Sequence, residues 1–305
     1  MKPHILLLVS ALSLSAQATE FHVASAGHDG NAGTKAKPFK TISAAANVAQ
    51  PGGVITVHAG VYRERVNPPR GGTSDTKRIT YQAAPGETVV ITGSEPVKGW
   101  GRVTNDTWKV TLPNRFFGGF NPYSDVIHGS WFGPRGRLHH TGCVYQDGNW
   151  LMEAANLESV LKPVEKIPQW FAQVDATNTT IWAQFTGGEP DKTQVEINVR
   201  QTVFYPEKPF INYLTVRGLI LENAAPNWAP PNAEQKAIIG TQWSRGWIIE
   251  NNTVRYSRCT GVSLGKYGDE WDSKSDTAPG YVETIRRALK NGWNNPIALL
   301  PPPTQ

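Results

Sequence analysis

The sequence predicts an all-β chain: a right-handed parallel β-helix with an N-terminal capping helix and an inserted β-rich domain. Three observations lead there. Gly (29) and Pro (23) are frequent in 305 residues and charged residues make up only 18%, a balance that favours turns and strands over helix bundles. Short apolar runs recur between turn signals from Val54 onward. Two of them, YLTVRGLILENA (213–224) and GWIIENNTVRYS (246–257), align without gaps at an offset of 33 residues.

The elements follow in chain order. Residues 1–18, MKPHILLLVSALSLSAQA, have the basic start (Lys2), the apolar stretch (Ile5–Leu14) and the small-x-small end of a secretory signal peptide. The mature chain is expected to begin near Thr19 and to be exported, periplasmic or secreted. No later stretch reaches the roughly 20 apolar residues that a membrane helix needs. Residues 19–94 are expected to form the cap and the first rungs. Phe21–Ala24 alternates like a short strand, and Ile42, Ala45, Ala46 and Ala49 fall at helical spacing within Thr41–Gln50 before Pro51-Gly52-Gly53 stops the helix. VITVHAG (54–60), RITYQAA (78–84) and VVITGS (89–94) return as strands.

From residue 95 to 194 the texture changes. Trp, Phe and Pro become dense, and TWKVTLP (107–113) and TTIWAQF (179–185) alternate like half-buried antiparallel strands. NLESVLKPV (156–164) has room for a helical turn. This block reads as the inserted domain, the alternative being elaborated loops on one face. Rungs resume over 195–293, where Leu214 falls on Trp247, Val216 on Ile249, Gly218 on Asn251, Leu221 on Val254 and Ala224 on Ser257. The loop PNWAPPNAE (226–234) lengthens that repeat, and CTGVSLG (259–265) adds a further short strand. Each rung offers too few inward apolar side chains for a core of its own, so stacking must merge them into one column. Asn at matching turns tolerates left-handed backbone and can bridge rungs through its amide. A helical excursion is expected over YVETIRRALKN (281–291), with Pro279-Gly280 at its start and Gly292 at its end. The tail NNPIALLPPPTQ (294–305) suits neither strand nor helix.

Composition narrows the partners. The net charge of +5 falls to +4 without Lys2, and the basic residues are scattered, which excludes the concentrated stripe of a nucleic-acid binder. Eleven Trp is a high count for this length, and the flat face of Trp stacks on sugars as well as in cores. Cys143 and Cys259 lie far apart, neither at metal spacing, and read as two buried free thiols rather than a disulfide.

Beyond these general features, GRLHHTGCVYQDGNWLMEA (136–154), ENAAPNWAPPNAEQKAIIGTQWSRGWIIENNTV (222–254) and GVSLGKYGDEWD (261–272) together resemble glycoside hydrolase family 120, the β-xylosidases built on a β-helix with an inserted β-sandwich. FHVASAGHDGNAGTKAKPFKTISAAANVAQPGGVITVHAGVYRERV (21–66) is similar to the cap and first rung of many carbohydrate-active β-helix proteins, which names an architecture only. The family resemblance implies removal of xylose from short xylo-oligosaccharides with retention of configuration, by an Asp nucleophile and a Glu acid/base. Retention requires carboxyl groups about 5 Å apart. In the family these lie on later rungs, so no residue from 1 to 305 is assigned either role, and the chain is expected to be truncated before them and inactive. The expected partner is an oligosaccharide or plant polysaccharide fragment, with no cofactor or metal; homo-oligomerisation is left open.

The candidate binding residues are Trp271, Asp269, Glu270, His139, His140, Trp131 and Trp228. KYGDEWD (266–272) reads first as a polar loop leaving a rung, next as a cleft rim on which Trp271 stacks, and last as a source of catalytic carboxylates. Adjacent carboxylates such as Asp269 and Glu270 diverge on extended backbone. His139 and His140, neighbours in HHTG, lack a third ligand at zinc spacing and read as a hydrogen-bonding pair near the junction of insert and solenoid, from which one could reach a sugar hydroxyl. Trp131 and Trp228 stand in Gly- and Pro-rich loops, as interdomain packing or as sugar platforms. Glu234 suits a helix N-terminus. Asn105, Asn178 and Asn251 open Asn-x-Thr triplets, which matter only in a eukaryotic secretory host. Two rivals remain, a calcium-dependent polysaccharide lyase, for which Lys266 with KYGDEWD is the only starting point, and a non-catalytic carbohydrate-binding β-helix.

Overall fold

A computed structural model describes residues 19–129, 132–164, 166–228 and 236–264. Residues 1–18, expected to be a signal peptide, together with Trp131, Glu234, KYGDEWD, the helix expected over 281–291 and the tail, lie outside the described residues. Among the described residues the fold is mostly β, with two short α-helices, Ile42–Val48 and Leu157–Leu161. Thr41 starts the first, its Oγ1 accepting from the Ala44 amide at 3.1 Å, and extended backbone at Ala49 ends it before Pro51. Ile42, Ala45 and Ala46 are its buried face, in line with the spacing seen in the sequence.

Three rows of parallel pairing organise the chain. The first runs in spatial order Glu20–Val23, Val54–Val57, Ile79–Ala83, Leu214–Arg217 and Ile248–Glu250. The second holds Gly60–Tyr62, Val89–Thr92, Ile220–Glu222 and Thr253–Arg255. The third joins Val66, Phe204, Ile239–Gly240 and Val262–Ser263. Each pass visits the rows in this order. Val216 pairs with Ile249 and Leu221 with Val254, the register that the gapless alignment predicts.

Because side chains alternate along a strand, one file of each row turns inward. Ile55, Tyr81, Val216 and Ile249 make one inward file, and Tyr62, Ile91, Leu221 and Val254 another. They merge into a single apolar column with Phe204 and Ile239. The intervening Thr56, Gln82, Arg217 and Glu250 form the polar outer file. Corners repeat as well. Tyr213 and Gly246, Gly218 and Asn251, and Asn223 and Tyr256 all have positive φ, so each corner of the third pass reappears on the fourth. Asn252 ties the two passes, accepting from the Leu219 amide at 3.0 Å and donating to the Val216 carbonyl at 2.8 Å.

Between the second and third rows of the second pass the chain departs at Ser94 and returns after Asn198. The excursion carries two mainly antiparallel sheets. One pairs Ser94–Pro96, Val195–Asn198, Val144–Gln146 and Asn149–Trp150; the other pairs Gly101–Thr104, Thr107–Pro113, Asn178–Gln184, Gln169–Val174 and Met152–Glu153. They share a core of their own, in which Trp100 meets Phe185 edge-on at 4.8 Å and Tyr123 meets Trp170 at 5.4 Å. The detour leaves the stack undisturbed, since Ile79 still pairs with Leu214 across it. At its base a buried polar cluster locks the strands: Arg63 pairs with Glu196, Ser94 Oγ donates to Glu196 Oε2 at 3.1 Å, and Asn223 Nδ2 donates to Ser94 Oγ at 3.2 Å.

Candidate functional site

The same corner, between second and third rows, gives rise to three connections on successive passes: the insert, the 223–238 segment and the short 256–261 turn. The later two grip the insert. Asn227 Nδ2 donates to the Val126 carbonyl at 3.0 Å and to the Asp125 carboxylate at 3.2 Å, while its Oδ1 accepts from the His128 amide at 3.3 Å. Arg258 Nε donates to the His140 carbonyl at 2.8 Å, and its Nη2 pairs with Glu153. The two gripped segments are themselves joined. Val126 bridges His140, Ile127 N donates to the His139 carbonyl at 2.7 Å, and Thr141 Oγ1 donates to Asp125 at 2.9 Å.

Glu153 is the centre of this junction. It is only 5% exposed, yet it accepts from the His140 amide at 3.0 Å and from His140 Nδ1 at 2.8 Å in addition to Arg258. Arg137 Nη2 lies 3.6 Å from the same carboxylate and donates to the Glu153 carbonyl at 2.9 Å. A buried carboxylate is tolerated when donors fill its lone pairs, and here they do. Such a group fastens two elements; it could act as a proton donor or nucleophile only by giving up those bonds. Glu196 and Glu222 are held likewise, by Arg63 and Arg255.

Beside the junction lies a cleft of about 370 Å³ lined by Val126, Ile127, Pro134, Arg137, Leu138 and His139. Its size falls within the range of small-ligand sites. One lip is a tight turn in which Arg135 and Gly136 both have positive φ (52° and 77°) and the Arg137 amide donates to the Pro134 carbonyl at 3.3 Å. Two successive left-handed residues define a type I′ turn, and Gly at the second meets that demand. The turn leaves Leu138 64% exposed at the rim. His139 Nε2 lies 3.2 Å from the Pro134 carbonyl and its ring stands edge-on to Phe132 at 5.8 Å. Donation from Nε2 leaves Nδ1 of a neutral ring as an acceptor. An apolar wall with one imidazole and one guanidinium at its edge suits a small polyhydroxylated ring.

The two adjacent histidines thus part company, His139 toward the cleft and His140 into the Glu153 knot. Trp228 follows Asn227, whose Oδ1 accepts from the Trp228 amide at 2.8 Å, and is 37% exposed. Asp269, Glu270, Trp271 and Trp131 lie outside the described residues. Asp125, Glu153, Asn227 and Arg258 were not candidates in the sequence. Glu153 and Arg258 are 105 residues apart, and no local pattern announces such a contact. Both cysteines are free; burial raises the Cys143 thiol and pushes Cys259 up to about 11, so both stay protonated and unreactive. Among the described residues no group of three or more His, Cys, Asp or Glu could hold a metal ion, and no helix is long and apolar enough to cross a membrane.

Comparison with known proteins gives this geometry a setting. A family model described as the insertion domain of glycoside hydrolase 120 matches residues 97–169, and one described as a protein of unknown function (DUF1565) matches residues 25–68. The solved complex of XylC with xylose superposes with a TM-score of 0.83 and 41% identity, covering 90% of this chain and 47% of XylC. The uncharacterized protein YwoF of Bacillus subtilis (strain 168) is 39% identical over 72 residues, 24% of this chain and 15% of YwoF. The chain therefore spans about half the length of XylC and 15% of the length of YwoF. The family model for the insert, together with the XylC match on both sides of it, supports membership of glycoside hydrolase family 120.

Proposed function

We propose that this chain is the scaffold and a sugar-holding part of an exported, xylose-releasing glycoside hydrolase acting on short xylo-oligosaccharides. The three rows are read as the faces of a right-handed parallel β-helix, and the block between Ser94 and Asn198 as a β-rich domain set into it. One observation carries the reading: XylC, solved with xylose, shares 41% identity over 90% of this chain. The cleft beside His139 is the place proposed for a xylosyl ring, with Leu138 against its C–H face and His139 toward a hydroxyl.

Hydrolysis with retention needs two carboxyl groups about 5 Å apart, one free to attack and one free to donate a proton. The buried carboxylates Glu153 and Glu196 and the half-buried Glu222 are bound by guanidinium groups and are assigned structural roles. None of these three is proposed as a member of the acid pair. Isothermal titration of the chain with xylobiose tests the reading: saturable binding is expected, weaker with cellobiose and weakened by Leu138→Ala or His139→Ala. Failure of xylobiose to bind, or binding indifferent to both substitutions, would remove the cleft from the account.

A further inference from the structure

A second concavity, of about 470 Å³, opens where the insert leaves the parallel rows. Glu95, Pro96, Val199 and Arg200 supply one wall from the base of the insert, next to the Arg63–Glu196 lock. Arg115 and Phe116, from the 3-10 turn Asn114–Phe117, supply the other.

The two walls differ in how firmly they are held. Arg200 Nη2 pairs with Glu95 Oε1 at 2.5 Å and its Nη1 reaches the Ser94 carbonyl at 3.4 Å, so that guanidinium is fixed in place. Phe117 is anchored in the insert core, and Phe116 stands edge-on against it at 5.2 Å while remaining 40% exposed. Phe116 therefore presents a backed, steady ring to the cavity. Arg115 is exposed, and among the described residues its guanidinium has no ion pair or hydrogen bond. The pocket thus holds two guanidinium groups and one carboxylate, with one cation uncommitted beside an aromatic face.

We infer that this pocket is a subsite for a sugar unit bearing a carboxylate. The C–H face of such a ring covers Phe116, its carboxylate takes the fork of Arg115, and Glu95 accepts from a hydroxyl. A neutral sugar would leave the cation unused, and a bare anion would leave the ring uncovered. The inference extends the glycosidase reading to decorated oligosaccharides and rests on it for the presence of sugar, but its site is separate from the cleft at His139.

Sodium D-glucuronate, D-glucose and sodium acetate, each titrated into the chain by calorimetry, test it, with xylobiose as a parallel titrant. Glucuronate is expected to bind with saturation and to weaken with added salt, and Arg115→Gln or Phe116→Ala is expected to lower its affinity about tenfold. Both positions are exposed, and a melting curve for each variant confirms its fold. Glucose or acetate binding as well as glucuronate, glucuronate affinity unchanged in both variants, or no glucuronate binding would each overturn the subsite. Xylobiose binding without glucuronate binding sinks the subsite alone; the converse sinks the cleft at His139 alone.

Discussion

Replacing Glu153 with alanine should loosen the insert from the parallel rows. The side chain is 5% exposed and accepts from the amide and ring of His140 and from Arg258, whose own side chain is 17% exposed. Removing one partner of a buried pair costs about 3–5 kcal/mol because the other charge is left without its counterion. Arg258 would keep its 2.8 Å bond to the His140 carbonyl and has some access to water, which places the loss near the lower end. About 3 kcal/mol in a chain of this size corresponds to a fall in Tm of about 6–12 °C. Differential scanning calorimetry on Glu153→Ala, Arg258→Met and the double variant gives both the loss and the coupling. The double variant should be more stable than the sum of the two losses by about 1–3 kcal/mol, since it leaves no orphaned charge. Additive losses, or a fall of less than about 2 °C for Glu153→Ala, would mean that Glu153 is not the fastener.

Three further outcomes are expected. Asn252→Ala removes both bonds that tie the third and fourth passes and should cost about 1–3 kcal/mol in urea unfolding at unchanged m-value; no loss would show that the two bonds are dispensable. Leu221→Ala, fully buried in the central column, should cost about 2–5 kcal/mol by the same assay, and a loss below that range would argue against a tight column there. His22 stacks on His58, with Nδ1 3.1 Å from His58 Nε2, and burial lowers its pKa below the ordinary 6.5, against the raising effect of Glu20 and with His58 and Lys35 adding to the fall. The unfolded chain therefore takes up this proton first, so the stability due to neutral His22 is present above pH 6.5 and is lost as the pH falls through its lower folded value. Tm measured from pH 7.5 to 5 should drop less steeply in His22→Gln than in the parent; equal slopes would refute the assignment.

The parallel rows were legible because their physics repeats. A strand that must stack on its neighbour carries the same inward pattern at the same spacing, so Val216 over Ile249 and Leu221 over Val254 could be placed from sequence. The first helix was legible from Thr41 and the spacing of Ile42, Ala45 and Ala46, although it ends at Val48, two residues short of the predicted stop. The third row left little trace, since Val66 and Phe204 join it through single bridges without alternation. Nor did the junction. His139 and His140 stood out as a pair, but what separates their roles is Glu153, 13 residues beyond His140, and Arg258, 105 residues beyond Glu153. Those contacts arise only when the insert folds back over the corner from which it left. Asn227 was passed over for a related reason: its neighbour Trp228 drew notice as an aromatic, while the amide that makes the contact was one Asn among many.

The most direct test of the account is the release of xylose from xylobiose by the purified chain, followed by NMR under conditions where binding is saturated. The account predicts that the disaccharide binds and that Glu153→Gln, where its melting curve shows a folded variant, leaves the rate of xylose release equal to that of the parent chain. Release abolished by Glu153→Gln in a folded variant would contradict it by turning the buried fastener into part of the cutting machinery.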